Sequence, residues 1–211
     1  MGISNYNDLK TTIATWLARS DLSGSLDDFI DLAEERLSRD LRIRATETTM
    51  NVTLVSGVAA IPSDFVQMKH VHIAGDPVQP LEVKESTWIM DQFPTRSADS
   101  KPRYVAEDGA NFMFGPFPSA GPHVLGGAYW KRPAALTTAA PTNEWTDNVP
   151  DVLLWACLAE TTPFIGNDQR ALVWEEKYER SKDRVVGAEK KRMRKGSRIA
   201  LDPGISTHRL Y

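Results

Sequence analysis

The spacing of apolar residues changes period twice along this chain. Leu9, Ile13, Trp16 and Leu17 recur at helical intervals, which predicts an amphipathic helix over about 6–19, with Asn5 or Asn7 placed to accept an amide hydrogen bond at its start. After a break at 20–24, Ser25 is a second candidate cap. Leu26, Phe29, Ile30, Ala33, Leu37 and Leu41 then trace one stripe, with Asp27, Asp28, Asp31, Glu34 and Glu35 assigned to the solvated face. This second helix is expected over about 26–45. Its acidic first half and its later Arg36, Arg39, Arg42 and Arg44 complement the helix dipole at both ends.

From Thr46 the period falls towards two, and prolines and glycines arrive at short intervals, the punctuation of antiparallel β-structure. Strands are expected at 48–55, 58–61, 66–74, 79–83, 103–107, 110–114 and 123–131. Between them 84–92, with Trp88 and Ile89 and followed by Phe93, reads as a short helix. Asp108-Gly109 tolerates the positive φ of a tight hairpin turn. Gly126-Gly127 inside a strand pattern reads as a bulge or a close backbone approach.

Helical spacing returns after a Thr, Ala and Pro-rich loop at 136–142. Asp147 or Asn148 is the expected cap, Pro150 sits where a first-turn proline is tolerated, and 152–165 is almost entirely apolar, so this helix must be central. Pro163 and Gly166 end or kink it. A last helix over about 168–196 carries Ala171, Trp174, Tyr178, Ser181, Val185 and Ala188 at alternating intervals of three and four, one packing face on an otherwise charged rod. The pattern is an α+β fold: a helical bundle formed by N- and C-terminal helices, with an inserted antiparallel β-rich subdomain. The expected units are bundle helices at 1–46, a β-rich insertion at 47–139, bundle helices at 140–197 and a tail at 198–211.

Composition alters this picture little. At 211 residues, 41% hydrophobic and 25% charged, the chain has the makeup of a globular protein, and a net charge of −3 does not point to nucleic acid or a membrane surface. The single cysteine, Cys157, excludes an internal disulfide and fits synthesis in a reducing compartment. No secretory signal and no membrane span are expected. Candidate chemistry is sparse. No nucleophile elbow, phosphate-binding loop, dinucleotide fingerprint or metalloprotease motif occurs, and no cofactor is expected. Cys157 lies among apolar residues and reads as a buried, inert thiol. His70 and His72 share one strand face, but no third metal ligand is recognisable beside them, and the acidic set on the second helix reads as a solvated face rather than a cation site.

One feature exceeds background. Between 187 and 198, Lys190, Lys191, Arg192, Arg194, Lys195 and Arg198 stand against Glu189 alone, leaving the rest of the chain at −8. The bland reading is a solvated helix end favoured by the dipole; the sharper one is contact with nucleic acid or an acidic protein surface. Beyond it, Ile199, Leu201, Ile205, Leu210 and Tyr211 offer too little apolar surface to fold alone, which makes 198–211 either a frayed tail or a docking strap.

Taken in order, YNDLKTTIATWLARSDL, LDDFIDLAEERLSRDLR, IPSDFVQMKHVHIAGDPVQPLE, FMFGPFP and TNEWTDNVPDVLLWACLAETTPFIGNDQRALVWEEKYERSKDRV resemble the head-to-tail adaptor, or connector, proteins of tailed bacteriophages, over about 5–185. The resemblance implies a structural virion protein without enzymatic activity, made in the host cytoplasm: a homo-oligomeric ring, commonly of twelve copies, seated between the portal protein and a tail or nozzle protein at the head-tail junction, around the DNA channel. It makes Lys190, Lys191, Arg192, Arg194, Lys195 and Arg198 candidate portal or DNA contacts, and Ile199, Leu201, Ile205, Leu210 and Tyr211 candidate docking residues. Residues 198–211 have no counterpart in the likeness. Two rivals remain: a DNA-binding accessory protein using 187–198, and a glycan hydrolase drawing on Glu82, Glu85, Glu107 and Asp108, whose spacing selects no carboxylate pair.

Overall fold

The computed structural model describes residues 2–19, 21–55, 57–75, 77–95, 100–118, 123–165 and 170–194. It is an α+β fold. Helices α1 (Tyr6–Leu17) and α2 (Leu26–Asp40) precede strands β1 (Glu47–Thr53), β2 (Val58–Ala60), β3 (Phe65–Ile73), β4 (Gln79–Pro80) and β5 (Glu82–Val83). Helix α3 (Ser86–Gln92) and strands β6 (Tyr104–Asp108), β7 (Asn111–Gly115) and β8 (Val124–Lys131) follow. The chain closes with α4 (Glu144–Asn148), α5 (Pro150–Glu160), α6 (Thr162–Ile165) and α7 (Arg170–Arg194). No helix of the described residues is long and apolar enough to cross a membrane.

The helical core forms around α5. Leu153, Leu154, Cys157 and Leu158 are buried in one cluster with Leu26, Phe29, Ala33 and Leu37 of α2, as the stripe and the apolar run require, and with Leu9 and Ile13 of α1 and Trp174 and Tyr178 of α7. The β region has two four-stranded sheets, ordered β1-β8-β3-β4 and β2-β7-β6-β5, antiparallel except for β5 beside β6. Met50, Val71, Leu125 and Tyr129 of the first sheet meet Val105, Phe112 and Phe114 of the second in a shared core. The alternate residues Ala106 and Met113 face the other way, against Ile89 of α3. Period-two alternation along β6 and β7 thus serves two layers. The hairpin turn at Gly109 is as expected: φ is +62° and Asp108 pairs with Asn111.

Several expectations are corrected. The second helix ends at Asp40, not 45. Leu41 is extended yet still buried, and the Arg42 guanidinium folds back to donate to the carbonyls of Ser38 at 2.7 Å and Leu41 at 2.8 Å, stopping the helix while the apolar spacing runs on. The single strand expected at 79–83 is two, because the chain changes sheets at Leu81, whose amide donates to Val71 while the Glu82 amide donates to Arg103. The helix expected at 152–165 starts at Pro150 and breaks after Glu160, where Thr161 Oγ1 donates to the Leu158 carbonyl at 2.7 Å. Its cap position is Val149, with no side-chain capping bond, rather than Asp147 or Asn148, which close the extra helix α4 just before it. Asn143 caps α4: it accepts from the Trp145 and Thr146 amides while Thr146 Oγ1 accepts from its own. Ser25 precedes α2 without a side-chain capping bond. Trp16 is 46% exposed and meets Trp155 edge-on, so the buried positions of α1 are Tyr6, Leu9, Ile13 and Leu17.

The largest correction concerns Glu34, which is 8% exposed rather than solvated. It accepts hydrogen bonds from the Leu136 amide at 3.0 Å and from the Asn143 side-chain amide, so α2 holds the loop returning from the β region. Burial pushes its carboxyl above the usual range, against the two hydrogen bonds that pull it down. Its neighbour Glu35 is the exposed partner of Arg132, at 2.7 Å.

Candidate functional site

Helix α7 spans 25 residues, about 38 Å at 1.5 Å per residue, and its first half is fastened on three sides. Trp174, Tyr178 and Ser181 are its buried face, and the Arg170 guanidinium donates to the carbonyls of Trp16 and Leu17 at the end of α1. Towards α2, Arg36 lies 4.1 Å above the Tyr178 ring and pairs with Glu175 of α7 and, at 3.2 Å, with Glu160 of α5. Burial pulls the Arg36 guanidinium down, but the Glu175 and Glu160 carboxylates outweigh it and its pKa is raised. The Tyr178 hydroxyl donates to Asp40 at 2.7 Å, and burial together with that bond raises its pKa. Lys182 reaches Asp40 at 3.6 Å and Glu179 at 2.7 Å.

Beyond Ser181 this fastening thins. Val185 and Val186 still touch the helical core, but Ala188, the last position of the expected packing face, is exposed. Ile43, Ala45, Asn148 and Val149 stand across a cavity of about 410 Å³ from Val185, Ala188, Glu189 and Arg192. Glu189, with its side chain 13% exposed, holds Arg192 at 3.0 Å. Lys190 and Lys191 are exposed and have no ion-pair partner among the described residues. Arg194 closes α7, but its side chain lies outside the described residues, as do Lys195, Arg198 and the proposed docking residues Ile199, Leu201, Ile205, Leu210 and Tyr211. Three of the six candidate cations are therefore placed, all on one projecting helix end.

The other chemistry weighed from sequence resolves differently. His70 and His72 stack with ring centroids 6.4 Å apart, and no group of three potential ligands among the described residues could hold a metal. Cys157 is buried, which pushes its thiol well up and away from nucleophilic use. Gly127 has φ +146°, and a Cβ there would lie 2.1 Å from the His70 carbonyl oxygen, the close approach expected of that pair.

The sequence matches the SU10 adaptor protein family over residues 4–201. The chain belongs to this family of phage head-to-tail adaptors. No curated protein sequence matches it. The SU10-type adaptor is a structural component of the virion, and a structural family fits the want of any catalytic constellation in the sequence. Sequence reasoning missed the adaptor's polar anchors. Glu34 falls on the spacing Ile30, Glu34, Leu37, Leu41, so its position on the buried stripe was present in the pattern, masked by its charge.

Proposed function

We propose that this adaptor closes into a ring, of twelve copies, between the portal and a tail or nozzle protein at the head-tail junction, extending the DNA channel. In this reading the helices of 1–46 and 140–197 build the subunit body, the β region 47–139 supplies a platform for the next component, and 198–211 docks on the portal. Lys190, Lys191, Arg192, Arg194, Lys195 and Arg198 meet an acidic portal surface or DNA phosphates. The observation that carries it is the last helix. It is packed and ion-paired through Lys182, touches the core once more at Val185 and Val186, and then runs on to exposed Lys190 and Lys191, which have no ion-pair partner among the described residues. A ring requires a heterologous contact, in which one patch meets a different patch on the next copy until rotation closes.

Co-sedimentation of the full chain, and of the chain truncated before Arg198, with purified portal rings tests this directly. The full chain is expected to travel with the portal at a fixed mass ratio and the truncated chain to remain in the supernatant. Equal binding by both would put docking elsewhere, and a two-fold dimer in purified virions would sink the ring. Tight, sequence-specific duplex binding at physiological salt would instead favour a DNA-binding accessory protein.

A further inference from the structure

A second array of charge runs along α7, ahead of the basic cluster read from sequence. Lys177, Arg180, Arg184, Gly187 and Lys191 follow one another at intervals of three, four, three and four, which places them on one side of the helix, adjacent to its packing face. The four cations are exposed and span about 21 Å of helix axis. Of the carboxylates on α7, Glu175 and Glu179 lie on the far side and are engaged by Arg36 and Lys182, and Asp183 lies about a quarter-turn away. Among the described residues only Glu176 reaches the array, pairing with Arg180 at 2.6 Å. Lys177, Arg184 and Lys191 have no ion-pair partner among the described residues.

A merely solvated helix face mixes signs, because oppositely charged residues at these intervals support the helix and like charges oppose it. Here only Glu176, paired with Arg180, interrupts the line of like charges among the described residues. The array also contains Gly187, an unfavourable residue inside an exposed helix, and a Cβ built there meets nothing within 4 Å. Between Arg184 and Lys191 the helix backbone is therefore bare, and open to a close approach between two flanking cations. A regular polyanion fits such a track: about six phosphates of one DNA strand pass along 21 Å of duplex axis. The same interval continues in the sequence to Arg194 and Arg198.

We propose that this face of α7, formed by Lys177, Arg180, Arg184 and Lys191 around Gly187, is the surface each subunit turns towards the phosphate backbone of duplex DNA. The inference rests on the ring reading above and names the side of the subunit that faces the channel. Its readout is a salt titration of duplex binding by the full chain, monitored by fluorescence anisotropy with two unrelated sequences. The triple variant Lys177→Gln, Arg184→Gln, Lys191→Gln is expected to flatten the slope of log affinity against log salt by about 2.7, at roughly 0.9 for each phosphate no longer neutralised. Removing the same charge from exposed positions elsewhere (Arg39→Gln, Lys101→Gln, Arg103→Gln) is expected to leave the slope unchanged. Gly187→Leu is expected to raise the melting temperature while weakening DNA binding, a combination that a purely structural role would not give.

The inference is overturned if wild type shows no salt-dependent duplex binding, if both triple variants lose equally, or if Gly187→Leu binds as well as wild type. A track variant that keeps DNA but no longer sediments with the portal would make an acidic protein surface the occupant and overturn the DNA assignment. Loss of wild-type portal binding with the slope difference intact would remove the ring reading and leave the DNA track standing.

Discussion

Replacing Glu34 by alanine tests how the bundle grips the β region. The wild-type carboxylate serves two buried donors, the Leu136 amide and the Asn143 side-chain amide. Asn143 keeps its other acceptor, the Ala134 carbonyl at 2.8 Å, so the substitution fully orphans one donor, the Leu136 amide. A buried donor without a partner costs about 1–3 kcal/mol. The adjoining cavity of about 280 Å³, lined by Asp31, Ser38 and Arg132 among others, lets water enter and moves the expectation to the lower part of that range, about 1–2 kcal/mol. Relief from burying a charge acts in the same direction. For a chain of this length that amounts to a fall of roughly 2–8 °C in melting temperature by scanning calorimetry. Glu35→Ala is the control, since its pair with Arg132 is exposed on both sides and is worth about 0–1 kcal/mol. Equal melting points for the two variants, or no loss in Glu34→Ala, would refute a structural grip at Glu34.

The same carboxyl gives a pH signature. Its folded pKa is raised, so the folded state holds the proton more tightly, and its contribution to stability is full below the ordinary value near 4.5 and declines as pH rises through the folded value. Glu34→Gln should remove that decline in denaturant unfolding measured at a series of pH values, and an unchanged profile would show that Glu34 does not titrate differently in the fold. Leu154→Asp, which puts a carboxylate into the core at α5, should abolish soluble folding. A purified variant with near-native melting would contradict the central position of that helix.

How much was legible depended on whether a residue's surroundings are local. The packing of Leu153, Leu154, Cys157 and Leu158 against Leu26, Phe29, Ala33 and Leu37 follows from two apolar periods that must cover each other, and it is present. Gly109 was legible because its positive φ is set inside one tight turn, whereas Gly127 was legible only as a glycine pair interrupting a strand pattern, the backbone that crowds it arriving at His70 from another strand. Leu41 misled because burial and helicity were read from one spacing, and an extended residue can bury its side chain equally well. The change of sheet at Leu81 has no local signal, since the partners of the Leu81 and Glu82 amides arrive from Val71 and Arg103. At the candidate site, position and charge of Lys190, Lys191 and Arg192 were readable. The cationic track through Lys177 and Arg184 was not, because net charge over a window hides a segregation that exists only around the helix circumference.

The split of the bundle across the chain sets a timetable for its synthesis. Helix α5, on which α1 and α2 pack, ends 120 residues after α2 does, with the whole β region in between. At about 5–20 residues per second, the apolar face of α2 bearing Phe29, Ile30 and Leu37 waits roughly 6–24 s on the ribosome before its partner is made, and that of α1 bearing Leu9 waits longer. Throughout that interval they are open to one another and to neighbouring nascent chains. The β region, whose sheets close within 47–131, can collapse first and bring the two halves of the bundle together. Yield of this adaptor in a heterologous host should therefore depend on chaperone supply and translation speed more than on the stability of the finished subunit.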